Sequence, residues 1–101
     1  MSVVMTLHWP EITPELYEAA RTEVHWEDEL PDGAQLHVAW FAEDGFRVLD
    51  VWDSREAFER FVTERLNPVV VGKLGATTAP SVTYAPLHRR FIAPGVTGSS
   101  S

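Results

Sequence analysis

Gln35 to Ala42 (QLHVAWFA) and Phe46 to Trp52 (FRVLDVW) are two strand-forming runs joined by only Glu43-Asp44-Gly45. So short a link of turn-forming residues predicts an antiparallel hairpin. With either Glu43-Asp44 or Asp44-Gly45 at the turn, odd positions of the first strand share a face with even positions of the second. One face then holds His37, Ala39, Phe41, Phe46, Val48, Asp50 and Trp52. The other holds Leu36, Val38, Trp40, Arg47, Leu49 and Val51. Both faces are mainly apolar, so the sheet needs cover on both sides.

The rest of the chain supplies cover for one side. Val3 to Trp9 is a short β-branched, apolar run stopped by Pro10, and reads as a first strand. Thr13 and Pro14 have the chemistry of a helix N-cap and first helical position, and Leu16, Ala20 and Val24 recur at helical spacing to about Val24. Ile12 can pack on Tyr17 as a hydrophobic staple. HWEDELPDG, residues 25–33, is an acidic loop. After Trp52, Ser54 caps a second helix whose apolar stripe is Phe58, Phe61, Val62 and Leu66, and Asn67-Pro68 is expected to break it. Val69 to Leu74 reads as a short further helical segment, and Ser81 to His88 as a fourth strand. Residues 1–93 form one domain and 94–101 a flexible tail.

The order β-α-β-β-α-β folds as a ferredoxin-like α+β sandwich, a four-stranded antiparallel sheet with both helices on one face. The other face, with Leu36, Val38, Trp40, Leu49 and Val51, would meet water in a monomer. This predicts a homodimer closed through that face into a barrel-like core.

Charge narrows the partners. Fifteen acids against 8 bases give a net charge of −7, which disfavours nucleic acid and anionic membrane surfaces. No apolar run reaches the ~18 residues of a membrane span, and the N-terminus lacks the pattern of a signal peptide. The chain has no cysteine. That excludes disulfides, thiolate catalysis and iron–sulfur clusters, and fits a cytoplasmic protein.

The run VLDVWDSREAFERF, followed by Asn67-Pro68, resembles the aromatic-then-cap signature of antibiotic biosynthesis monooxygenase-type proteins in the dimeric α/β-barrel superfamily. The resemblance spans roughly residues 3 to 90. It implies the ferredoxin-like dimeric barrel and a small-molecule pocket between sheet and helices, faced by Trp52. The activities it implies are cofactor-independent oxygenation, polyketide cyclisation, lactone isomerisation or haem degradation. On this basis the His37–Trp52 face is assigned to the helices and the Leu36–Val51 face to the dimer. The haem-degrading pattern adds a His on the helix after that Trp and an Asn on strand one. Neither is present here, so haem would need another ligand, His37 or His88.

Asp50 and His37 form the sharpest pair of candidate catalytic groups. Two registers are open: Asp50 opposite His37, or Asp50 opposite Ala39 with His37 opposite Trp52. In both, a carboxylate neighbours an imidazole on one face. It can hold the imidazole's tautomer and raise its basicity, which suits a general base. The plain alternative is a structural hydrogen bond satisfying two buried polar groups. By the superfamily topology, His88 joins them at the same sheet end. Trp52, Phe41, Phe46, Phe58 and Tyr84 are expected to line the pocket, though the parity of the fourth strand, and with it Tyr84, is open. The expected ligand is a small hydrophobic molecule, aromatic or polyketide-like, handled by acid/base chemistry without a cofactor. A non-catalytic metabolite- or haem-binding protein is the rival. His8 falls at the opposite sheet end, and Trp9, Trp26 and Trp40 read as packing. His25 and the acids of residues 27–32 lack metal-site spacing and read as a solvated loop.

Overall fold

The structure is a computed structural model that describes residues 1–98. Strands β1 (Val3–Trp9), β2 (Ala34–Ala42), β3 (Gly45–Trp52) and β4 (Ser81–Pro86) form one antiparallel sheet in the order β2-β3-β1-β4. Helices α1 (Pro14–Val24) and α2 (Arg55–Phe61) complete the ferredoxin-like order. The hairpin turn is Glu43-Asp44, so His37 lies directly opposite Asp50 and Phe41 opposite Phe46. Gly45 takes φ 117°, and a Cβ there would stand 2.7 Å from Pro10 Cα, so glycine is required where β1's exit crosses the hairpin.

Registry with β1 and β4 settles the faces. Met5 pairs with Asp50 and with Tyr84, and Leu7 with Val48 and Val82. Met5, Leu7, Trp9, Phe46, Val48 and Trp52 are buried with Phe58 and Phe61 of α2 and with Ala20 and Val24 of α1. The His37–Trp52 face is thus the helix side, and Tyr84 points the same way. On the opposite face Leu36, Val38 and Trp40 remain 40–46% exposed. Val51, expected on that open face, is already buried within the chain, flanked by Val4 and Leu36.

Helix α1 opens as its sequence predicts: Thr13 Oγ1 accepts from the Leu16 N–H at 3.1 Å, with Pro14 in the first turn. Ser54 does the same for Ala57 at α2. Asn67-Pro68 does not break the second helix. Backbone dihedrals at Asn67 stay helical (−60°, −40°), and wide π-type turns run through Val62–Leu66 and Pro68–Lys73. The Asn67 N–H bonds to Val62 O, five residues back. A proline ring clashes with the carbonyl four residues back in a tight α-turn and has no N–H to give. Widening the turn accommodates both defects without ending the helix.

The fourth strand ends at Pro86, not at His88. Its partner β1 begins at Val3, which pairs with Pro86, so the ladder has nothing left to bond beyond one Leu87 N–H to Ser2 O link. His88 lies past the sheet and is exposed.

One exposed acid ties the strand connections together. Glu11 accepts from the hydroxyl and backbone N–H of both Thr78 and Thr77 at 2.6–3.0 Å. These bonds, the Thr78 hydroxyl foremost, hold its carboxyl at about 2, below the ordinary 4.5. A carboxylate with a lowered folded pKa stabilises above its unfolded pKa and loses that contribution as pH falls through about 2. Glu11→Gln is therefore expected to lower thermal stability at neutral pH and to flatten its decline between pH 4.5 and 2, measured by melting across that range.

Candidate functional site

Asp50 is the one buried charged residue among those described, 5% exposed and two residues before the end of β3. Both of its oxygens are used. Oδ1 accepts from His37 Nδ1 at 2.7 Å, and Oδ2 accepts from Trp52 Nε1 at 2.9 Å. A carboxylate only accepts, so His37 Nδ1 must carry a proton. In neutral imidazole this leaves Nε2 with a lone pair. The Tyr17 hydroxyl stands 2.8 Å from that nitrogen and donates to it. The order is Trp52–Asp50–His37–Tyr17, an indole and an imidazole fixing the carboxylate and the carboxylate fixing the imidazole.

The ends of this chain differ in exposure. Trp52 is 3% exposed and packs edge-on to Phe58, with centroids 5.4 Å apart. His37 sits on the edge strand β2 with its side chain 33% exposed. The accessible end is walled by aromatic rings. Tyr17 lies parallel to His37, Trp26 stands 5.6 Å from both Tyr17 and His37, and Phe46 is 5.3 Å from Tyr17. Burial, then the negative charges of Glu27 and Glu18, push the Tyr17 phenol up to about 12. Tyr17 therefore keeps its proton and remains a donor throughout the neutral range.

His37, Asp50 and Trp52 are thus brought together on the helix side. Of the other expected pocket residues, Phe46 and Phe58 are buried in the core, and Phe41 packs on Phe46 at 5.1 Å while staying 44% exposed. Tyr84 is on the helix side but on β4, with β1 between it and Asp50, under Arg55 at 4.5 Å and edge-on to Phe58. Burial raises its phenol pKa too. His88 does not join the cluster, because β4 stops two residues short of it. His8 bonds the Asp44 carbonyl at 2.7 Å and pins the hairpin turn. An open groove of about 150 Å3 between residues 30–32 (Leu30, Asp32) and α2 with the wide turns after it (Arg60, Glu64) contains neither His37 nor Asp50.

Tyr17 and Trp26 were absent from the sequence-derived candidates. A signal for Tyr17 existed: it precedes Ala20 by three and Val24 by seven residues, which puts a phenol on the helix's buried stripe, where its O–H needs a partner. Among the described residues no group of three or more His, Asp or Glu side chains is placed to hold a metal ion. Both nitrogens of His37 are hydrogen-bonded, so ligating a haem iron through it would cost one of those bonds. No helix is long and apolar enough to cross a membrane among these residues.

No protein-family model and no curated protein sequence matches the chain. Solved structures do. The chain is similar to Rv0793 from Mycobacterium tuberculosis, with TM-score 0.54 and 20% identity over 87% of this chain and 96% of that one. It is similar to SnoaB, a cofactor-independent oxygenase from Streptomyces nogalater, with TM-score 0.57 and 14% identity over 88% and 93%. An antibiotic biosynthesis monooxygenase gives TM-score 0.57 and 13% identity over 88% and 100%. The chain shares its ferredoxin-like α+β fold with these structures.

Proposed function

We propose that this protein is a small-molecule enzyme that abstracts a proton from a hydrophobic aromatic or polyketide-like substrate without a cofactor. The observation that carries the reading is the 2.7 Å His37 Nδ1–Asp50 Oδ1 bond, which leaves His37 Nε2 as a base at the exposed end of the cluster. Asp50 holds the tautomer and stabilises the imidazolium that forms. Tyr17 either yields its place on Nε2 to the substrate's acidic group or passes that proton on, giving its own to Nε2 as it takes the substrate's.

Proton loss next to a carbonyl, or from a methylene conjugated with one through aromatic rings, gives an enolate. That enolate serves cyclisation or isomerisation, or it gives an electron to O2. In the second case the radical and superoxide join as a peroxide anion, the protonated His37 returns the proton to give a hydroperoxide, and this loses water to leave a carbonyl. The similarity to a cofactor-independent oxygenase supports the oxygen route. An anthrone, a tricyclic ketone with an acidic methylene, tests it. Wild type is expected to accelerate deuterium exchange at the methylene in D2O, and O2 uptake if oxygenation follows. His37→Ala should return both to background; equal rates in the two proteins would sink the acid/base reading.

A homodimer through the open sheet face accompanies this reading. Leu36, Val38 and Trp40 form an apolar strip on an edge strand, which a second copy would cover. Wild type is expected to sediment as a dimer at micromolar concentration, and Trp40→Glu as a monomer. A wild-type monomer would overturn it. The lack of cysteine fits action in the cytoplasm.

A rival without catalysis, a structural or accessory subunit, draws support from the tight packing of Trp52 against Phe58 and Phe61, which fills the space beneath the sheet. It predicts neither methylene exchange nor ligand uptake, whereas a binding protein predicts ligand uptake with no methylene exchange.

A further inference from the structure

Each buried indole in the fold has a hydrogen-bond partner except one. Trp9 Nε1 donates to Thr78 Oγ1 at 3.0 Å and Trp52 Nε1 to Asp50 Oδ2 at 2.9 Å. Trp26 Nε1 is shut from solvent and has no partner, and it is the only such buried side-chain polar atom among the described residues. An orphaned buried donor is costly and rare in native proteins. This one lies in the ring that packs against both Tyr17 and His37, 5.6 Å from each.

We propose that the Trp26 indole N–H is a substrate-binding donor that takes a carbonyl oxygen of the molecule deprotonated at His37. The inference rests on the acid/base reading of that site. The acceptor is expected from outside the cluster: the Tyr17 and Asp50 oxygens keep lone pairs, but none of them is hydrogen-bonded to this nitrogen. Tyr17 O–H is on His37, and each Asp50 oxygen already accepts one bond. An indole N–H only donates, so the incoming atom is an acceptor. Glu18 and Glu27 flank Tyr17 with Arg21 bonded to both, so one cation answers two acids, and with Asp50 the balance around the site stays negative and disfavours a substrate that arrives as a carboxylate or phosphate. A neutral ketone is not repelled. Its oxygen gains charge as the neighbouring proton leaves, and a fixed N–H is then worth more than in the ground state. The class selected is a planar aromatic ketone that also carries an acidic hydrogen.

Because the N–H is covered in the free chain, the loop that carries Trp26 eases outward to admit the ligand. Residues 27–30 of that loop are exposed, and its ends take left-handed conformations, His25 at φ 60° and Gly33 at φ 89°.

Two small phenols separate the outcomes: 4-hydroxyacetophenone, which has the carbonyl, and 4-ethylphenol, which does not. Calorimetric titration of wild type and Trp26→Phe gives a ketone-to-alkyl preference for each. The more acidic phenol of the ketone acts equally in both proteins, so only the change in preference counts. Trp26→Phe is expected to reduce the preference about tenfold, the weight of one good hydrogen bond, and to leave 4-ethylphenol binding unchanged. An unchanged preference overturns the proposal alone. Failure of wild type to bind either phenol overturns it together with the site reading. Should Trp26→Phe not fold, the wild-type indole N–H resonance decides. It is expected to move downfield with the ketone and not with 4-ethylphenol, and an equal response to both overturns the assignment.

Discussion

Asp50→Asn is expected to abolish proton abstraction while leaving the chain folded. The carboxylate accepts at both oxygens, from His37 Nδ1 and from Trp52 Nε1. An amide offers one oxygen and one NH2. Pointing the NH2 at Trp52 would set two donors against each other in a site 5% exposed, so the amide oxygen stays on Trp52 and the NH2 faces His37. His37 must then accept at Nδ1 and carry its proton on Nε2, which reverses the bond with Tyr17 and removes the base from the accessible end. Loss of a correctly presented general base costs about 10²–10⁴-fold in rate. The stability cost is smaller, about 1–3 kcal/mol for a charge-assisted bond replaced by a weaker one. Nitrogen-15 NMR of the imidazole reads the tautomer directly and needs no substrate. A His37 that stays protonated at Nδ1 in Asp50→Asn, with an unchanged exchange rate, would refute the role assigned to Asp50.

How much of this was legible in the sequence follows from what each residue depends on. His37, Asp50 and Trp52 share a face because a two-residue turn couples the parity of two adjacent strands, and strand period is two. Nothing beyond local alternation was needed. Tyr17 and Trp26 depend on how α1 is rotated and shifted over the sheet, and on where the acidic loop folds back. Those are set by packing among Ala20, Val24 and the sheet, not by residues 14–33 alone. Trp26 in particular stood in a run of acids whose solvent-facing character was correct for Glu29 and Asp32 and hid an indole whose N–H is turned inward. His88 was misplaced for a related reason. The end of β4 is decided by the first residue of β1, about 80 positions away in the chain, and the one local sign of it was Pro86, which has no N–H to give a ladder. At Asn67-Pro68 the local rule was sound in its physics. Proline does forbid the tight turn, but a wide turn was available.

Trp52→Ala is expected to bring the chain close to unfolding, which bears on how any activity loss there is read. Trp52 is 3% exposed and packs on Phe58 and Phe61 with ring centroids 5.4 and 5.5 Å away. Truncating a buried aromatic costs about 3–5 kcal/mol through lost burial and the cavity left behind. Asp50 Oδ2 also loses its only donor, and a buried acceptor left unpaired adds about 1–3 kcal/mol. Domains of this size hold about 5–15 kcal/mol in total, so the sum is comparable with the whole. Trp52→Phe keeps most of the ring packing and removes only the N–H, so its cost should fall near the second figure alone. Urea unfolding of the three proteins separates the two contributions. If Trp52→Ala loses less than about 1 kcal/mol, Trp52 is not the packed keystone described here. If Trp52→Phe is folded and yet inactive, the indole N–H acts through the orientation of Asp50, and His37 in that variant should lose its fixed tautomer.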